Sequence, residues 1–227
     1  MRGLDPLRTQ KMDTPRETPA ELYKKFIVDH GLERAGLFKS LKARFEGATT
    51  VLYPGSSAHI TPSFYFPHVV YVDRGPLPRQ LFGDLDEVVQ MIEANKVYKR
   101  SAFVRFIDAD FTGPLPLREG SFDLLISLYA GGISRPCSRF LKVGGLLLTD
   151  NHHDDAGEAA KDPELDLIAV INDHKGNFAI EERDLQGYFV KKDEPARGRS
   201  SGRPATRWPE YIKKADYYVF TRTRPAT

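Results

Sequence analysis

Five positions in this 227-residue chain combine useful chemistry with a shared placement. Gly55, Asp73, Asp108, Ser127 and Asp150 each close, or directly follow, a short apolar run. A glycine lets backbone approach a ligand closely, and a carboxylate accepts several hydrogen bonds. If the runs are parallel strands, their carboxyl ends face one crevice, where open α/β sheets bind ligands. Polar residues also follow strands simply because loops are hydrated, so placement alone identifies no site. Asp150-Asn151-His152-His153-Asp154-Asp155 adds two histidines and three carboxylates after the last run. Such groups act as general bases and metal ligands. Adjacent histidines on extended backbone point to opposite faces, so no metal is assigned. The expected roles are a polar loop, with Asp154 capping a helix, and His152 as an alternative proton acceptor.

The elements that must position these residues follow from the pattern. Thr18-Pro19-Ala20-Glu21 has the form of a capping box with proline at the first helical position. Leu22, Phe26 and Ile27 continue it as an apolar stripe, Gly31 is a stop, and Phe38, Leu41 and Phe45 mark a second helix. Residues 18–48 therefore read as a helical extension after a polar arm, 1–17, and 49–227 as the main domain. Thr50–Tyr53, Val69–Asp73, Phe103–Ile107, Phe122–Ser127 and Gly145–Asp150 read as five strands. Asp84–Asn95 and Ser134–Leu141 read as helices between them. The pattern is that of βα units around a parallel sheet. Farther on, Asp162-Pro163-Glu164 opens an expected helix to Ile171. Phe178–Ile180, Gly187–Val190 and Tyr217–Thr221 are strand candidates, with an Arg-rich loop, 193–210, before the last.

Composition limits the function classes. Lys and Arg total 33 against 31 Asp and Glu, a net charge of +2. A protein held to nucleic acid mainly by bulk charge is more basic. Locally, Asp150–Asp166 carries net −6, and Lys191–Lys214 carries net +5. The basic segment suits an acidic partner or an RNA backbone, but Trp208, Tyr211 and Tyr217 are its only stacking candidates. The longest apolar stretch, Leu124–Ser134, is about half of the ~20 residues a membrane helix needs. One cysteine, Cys137, excludes an internal disulfide framework and a cysteine zinc site. A cytoplasmic protein is expected. The oligomeric state is not set by the sequence.

Two stretches carry a family resemblance. Asp108-Ala109 precedes Leu115-Pro116-Leu117-Arg118-Glu119-Gly120-Ser121-Phe122-Asp123-Leu124-Leu125-Ile126-Ser127. Phe140-Leu141-Lys142-Val143-Gly144-Gly145-Leu146-Leu147-Leu148 follows. In order and separation they resemble the class I S-adenosylmethionine-dependent methyltransferase superfamily. The resemblance implies an α/β, Rossmann-like, doubly wound, mostly parallel seven-stranded sheet with the N-terminal helical extension. A helix near 163–172 and an antiparallel hairpin of Gly187–Lys192 with Asp216–Arg222 would complete it. It also implies S-adenosylmethionine as cofactor. Gly55 would be the glycine turn, Asp73 would bind the ribose hydroxyls, and Asp108 would accept from the adenine amino group. Ser127, Leu128 and Tyr129 would line the crevice.

The first motif departs from the family pattern. Aligned on Gly55, the usual acid position holds Tyr53, and the next two glycine positions hold Ser57 and His59. Tyr53 and Ser57 are thus candidate cofactor contacts, and Ser57 and His59 would narrow the pocket unless the loop takes another path. Methyl transfer from a sulfonium needs little beyond positioning, and no residue is assigned a catalytic role. Leu128-Tyr129-Ala130-Gly131-Gly132 does not resemble the amide-binding motif of nucleobase methyltransferases. The leading expectation is a methyltransferase-like protein acting on a small molecule. The alternatives are a non-catalytic protein that kept the fold, and an RNA-associated methyltransferase using Lys191–Lys214.

Overall fold

The computed structural model describes residues 16–128, 130–191 and 211–223. Residues 1–15 of the expected arm, Tyr129, Trp208 and the whole Arg-rich loop 193–210 lie outside the described residues. The five apolar runs form parallel strands β1 (Thr50–Pro54), β2 (His68–Asp73), β3 (Phe103–Asp108), β4 (Phe122–Ser127) and β5 (Leu141–Thr149). With β6 (Leu165–His174), β7 (Asn177–Glu181) and β8 (Tyr217–Arg222) they make one eight-stranded sheet, ordered β3-β2-β1-β4-β5-β8-β6-β7. Strand β8 runs antiparallel between β5 and β6, and β7 runs antiparallel along the outer side of β6. Strands β1–β6 therefore share one direction. The α/β doubly wound class is as expected, with one strand more.

Two local expectations are corrected. The helix expected near 163–172 is instead a turn followed by strand β6, Leu165–His174. The Asp162 side chain accepts from the Glu164 amide at 2.9 Å and its carbonyl from the Leu165 amide at 3.1 Å, so Asp-Pro opens a turn. The closing partner of β8 is β6, not 187–192. That segment makes only isolated bridges, Tyr188 with Lys213 and Lys191 with Tyr211, and Phe189 at φ +64° breaks any strand. Strand β7 contains the expected strand Phe178–Ile180 and is joined to β6 by a tight hairpin. His174 pairs with Asn177 across Lys175 and Gly176, whose φ values of +58° and +88° suit a two-residue turn.

The sheet buries both faces, as the alternation along β1 and β2 requires. Val51, Tyr53, Val69 and Tyr71 face one core. That core is closed by α1 (Pro19–Tyr23), α2 (Ala35–Arg44), α3 (Pro62–Tyr65), α4 (Pro76–Leu81) and α5 (Leu85–Asn95). Leu52, Val70 and Val72 face the other, closed by α6 (Ser134–Cys137) and α7 (Asp155–Ala159). The capping box that opens α1 is present: the Thr18 side chain accepts from the Glu21 amide at 3.2 Å, and Glu21 accepts from the Thr18 amide at 2.8 Å. Leu22, Phe38 and Leu41 are buried in the first core, so the helical extension packs on the sheet. Each such side chain contributes about 1.5–3 kcal/mol. No helix of the described residues is long and apolar enough to cross a membrane.

Candidate functional site

The turn after β1 is built around Gly55, at φ +64°. Its amide donates to the Val72 carbonyl at 2.8 Å, which ties the turn to β2. A side chain at Gly55 would collide with the Cβ of Ala130. Ile133 Cδ1 and Phe111 Cε1 would lie 3.5 and 3.7 Å from the same point. The loops after β3 and β4 thus pack directly on the glycine. Beside it, Ser56 is buried, and its Oγ has no hydrogen-bond partner among the described residues. An orphaned buried hydroxyl is costly and calls for an explanation.

The two departures from the family motif have a structural cause. Tyr53 and His59 are both buried, and the Tyr53 hydroxyl meets His59 Nδ1 at 2.8 Å. His59 Nε2 reaches the Glu33 carbonyl at 3.1 Å. A neutral ring donating from Nε2 and accepting at Nδ1 satisfies both bonds. Burial pushes the His59 pKa down to about 3, which keeps the ring neutral. Tyr53, expected as a cofactor contact, instead belongs to a buried link between the sheet and the helical extension. His59 does not narrow the pocket, because the loop turns its ring into the core. Ser57 is exposed at φ +52°, and its amide, not its hydroxyl, meets the next carboxylate.

That carboxylate is Asp73. It accepts from the Ser57 amide at 2.6 Å and from the Arg74 amide at 2.6 Å. Asp73 and Asp108 are register partners at the ends of β2 and β3. Two residues before each, Tyr71 and Phe106 belong to the same core, so both carboxylates leave the same face. Asp108 is exposed and accepts from Arg79 Nε at 2.6 Å. A carboxylate has about four acceptor positions, so both retain capacity for further donors. Nearby Asp110 accepts from the Thr112 amide and hydroxyl at 2.9 and 2.7 Å, which lowers its pKa. It also lies 3.2 Å from Arg74.

Ser127, expected to line the crevice, is buried and donates its hydroxyl to Asp155. Asp155 is itself 1% exposed. It also accepts from the Ser134 hydroxyl at 2.9 Å, the Ser134 amide at 3.3 Å and the Thr149 hydroxyl at 3.2 Å. The four donors come from β4, β5 and the start of α6, so this carboxylate ties those elements together and its acceptor positions are filled from within the protein. Asp154 does not cap α7 with its side chain; it accepts from the Tyr211 hydroxyl at 2.9 Å. The chain turns at His153 (φ +59°), so the His152 and His153 rings meet edge to face at 4.1 Å. Among the described residues no group of three His, Cys, Asp or Glu side chains could hold a metal ion.

The structure places Asp73, Asp108 and Gly55 at the ends of three neighbouring strands, with the Ser57 amide on Asp73. It sets Tyr53 and Ser127 in buried networks instead. Arg79 was missed, since no local motif marks it; Asp155 was noted only within the polar run Asp150–Asp155, and Ala130 only within Leu128–Gly132.

No protein-family model matches the sequence, and no curated protein matches it. Solved structures do match. A SAM-dependent methyltransferase from Thermotoga maritima is 10% identical, with 89% of this chain and 98% of that chain covered and a TM-score of 0.46. SAM-bound CalS10, an amino pentose methyltransferase from Micromonospora echinaspora, is 20% identical over 52% of this chain and 49% of that one, with a TM-score of 0.37. The [4+2]-cyclase SpnF is 15% identical over 51% and 44%, with a TM-score of 0.38. The match spans about half the length of the latter two chains. The sheet order, with its last strand antiparallel between β5 and β6, is that of an α/β doubly wound fold with an antiparallel closing strand.

Proposed function

We propose that this chain binds S-adenosylmethionine or S-adenosylhomocysteine at the edge formed by β1, β2 and β3, and that it is a methyltransferase acting on a small molecule. The observation that carries the reading is the register pairing of Asp73 and Asp108 beside the Gly55 turn. Asp73 would accept from the ribose hydroxyls and Asp108 from the adenine amino group. Ser56, with its unpartnered hydroxyl, would meet the amino-acid end. A sulfonium cofactor supplies an activated methyl group; this chain's residues would orient it and exclude water. That end of the cofactor needs the 130–133 segment to move off Gly55. A cytoplasmic location belongs to the same reading. The single thiol, Cys137, is buried, and burial pushes its pKa up to about 12, so it favours no thiol chemistry.

A second reading, a non-catalytic protein that kept the fold, is favoured by the packing of Ala130, Ile133 and Phe111 against Gly55. Calorimetry with S-adenosylhomocysteine separates the two. Saturable binding that Asp108→Ala weakens supports the cofactor reading. No heat and no thermal shift at millimolar ligand would leave only the second.

A further inference from the structure

A cleft of about 620 Å³ opens between α6 and α7, on the side of the sheet away from the helical extension. Its walls come from the loops after β3, β4 and β5: Thr112, Gly132, Arg135, Arg139, Asp155 and Glu158 line it. The volume falls within the range of small-molecule sites, and the position is at the carboxyl ends of the strands.

The charges in this cleft are unevenly satisfied. Arg135 and Arg139 are four residues apart along α6 and the 3₁₀ turn that extends it to Phe140, so they share a face. Like charges at that spacing repel. Neither is firmly neutralised. Arg135 is exposed and has no ion pair among the described residues, and Arg139 Nε lies 3.7 Å from Glu119. The acids in the cleft have other partners. Asp155 is filled by Ser127, Ser134 and Thr149, and Glu158 pairs with Lys161 at 2.5 Å. Both arginines thus line a roomy cleft: Arg135 has no ion pair among the described residues, and Arg139, whose guanidinium lies 4.8 Å from the Phe140 ring centroid, retains donors beyond its long contact with Glu119. Guanidinium binds phosphate and carboxylate through paired, charge-assisted hydrogen bonds.

We propose that Arg135 and Arg139 bind the phosphate or carboxylate group of a small molecule in the α6–α7 cleft. The site stands apart from the Asp73–Asp108 edge and does not depend on a nucleoside cofactor. Thr112 lies on the facing wall with its hydroxyl donated to Asp110 at 2.7 Å, while Pro136 between the two arginines stiffens the segment that presents them.

The test is an NMR titration of the full chain with inorganic phosphate and, separately, with citrate, following the amides from Gly132 to Arg139. Sodium chloride at matched ionic strength is the control. A saturable response to either anion, weakened at least about tenfold in Arg135→Gln/Arg139→Gln, supports the site, because a charge-assisted bond contributes about 1.5–3 kcal/mol. A preference for phosphate assigns a phosphate ester, and a preference for citrate assigns a carboxylate. Both arginines are exposed, so the double variant should keep the wild-type spectrum elsewhere. A response that chloride reproduces, or that the double variant leaves unchanged, overturns the proposal.

Discussion

The two halves of the sheet's carboxyl edge treat their carboxylates in opposite ways. At β2 and β3, Asp73 and Asp108 are partly exposed and hold one or two donors each. At β4 and β5, Asp155 is buried and surrounded by three hydroxyls and an amide. A saturated, buried acid fixes neighbouring elements, whereas an acid with vacant acceptor positions at a rim is able to meet a ligand. The contrast separates a structural half from the half proposed to bind a ligand within one row of strand ends. Substitutions on the two halves should therefore fail in different assays.

The largest effect is expected at the saturated acid. Asp155→Ala leaves the hydroxyls of Ser127, Ser134 and Thr149 without their acceptor in a dry site. Urea unfolding at neutral pH should show a loss of about 3–5 kcal/mol. A loss under about 1 kcal/mol would mean that the network contributes little and would remove the contrast.

Next comes the buried Tyr53–His59–Glu33 link. His59→Ala should cost about 2–3 kcal/mol, and Tyr53→Phe about 1 kcal/mol. His59 also gives a pH signature. Its folded pKa, about 3, lies below the ordinary value of 6.5, so the unfolded chain binds the extra proton first. The stability it provides is complete above about pH 6.5 and is lost as pH falls toward 3. Unfolding midpoints measured across that window should fall less steeply for His59→Gln than for the wild type; parallel curves would contradict the assignment.

On the proposed binding half the order of effects reverses. Asp73→Asn should lower affinity for S-adenosylhomocysteine by about tenfold or more, since hydrogen bonds to a charged acceptor contribute about 1.5–3 kcal/mol. Stability should change by less than about 1 kcal/mol. The smallest effect sharpens the comparison: Ala130→Gly removes the methyl that packs on Gly55 and should raise that affinity severalfold. Lower affinity in calorimetry would mean that Ala130 is a ligand contact rather than an obstacle.

Much of this organisation was legible in the residues themselves. The capping box at Thr18, the apolar runs of β1–β5 and the paired acids at Asp73 and Asp108 all express local rules of period and termination. What was not legible depended on contacts between distant segments. Strand β6 was hidden because Asp162-Pro163-Glu164 resembles a helix start, while its Asx turn is fixed only once Leu165–Ile171 pairs with β8. The hairpin to β7 lacked the usual Asn-Gly signal and used Lys175-Gly176 instead. In the site, Tyr53 and His59 read as odd residues in a glycine motif, because Glu33, which explains them, lies 26 positions before His59. Asp155 gathers donors from Ser127, Ser134 and Thr149, which no spacing rule connects.

The most direct measurement is a crystal structure of the chain grown with S-adenosylhomocysteine. The account predicts the ribose hydroxyls on the Asp73 carboxylate, the adenine amino group at Asp108, and Ala130 displaced from Gly55. Density for the ligand elsewhere, or a ligand-free turn with Ala130 still seated on Gly55 at saturating concentration, would contradict it.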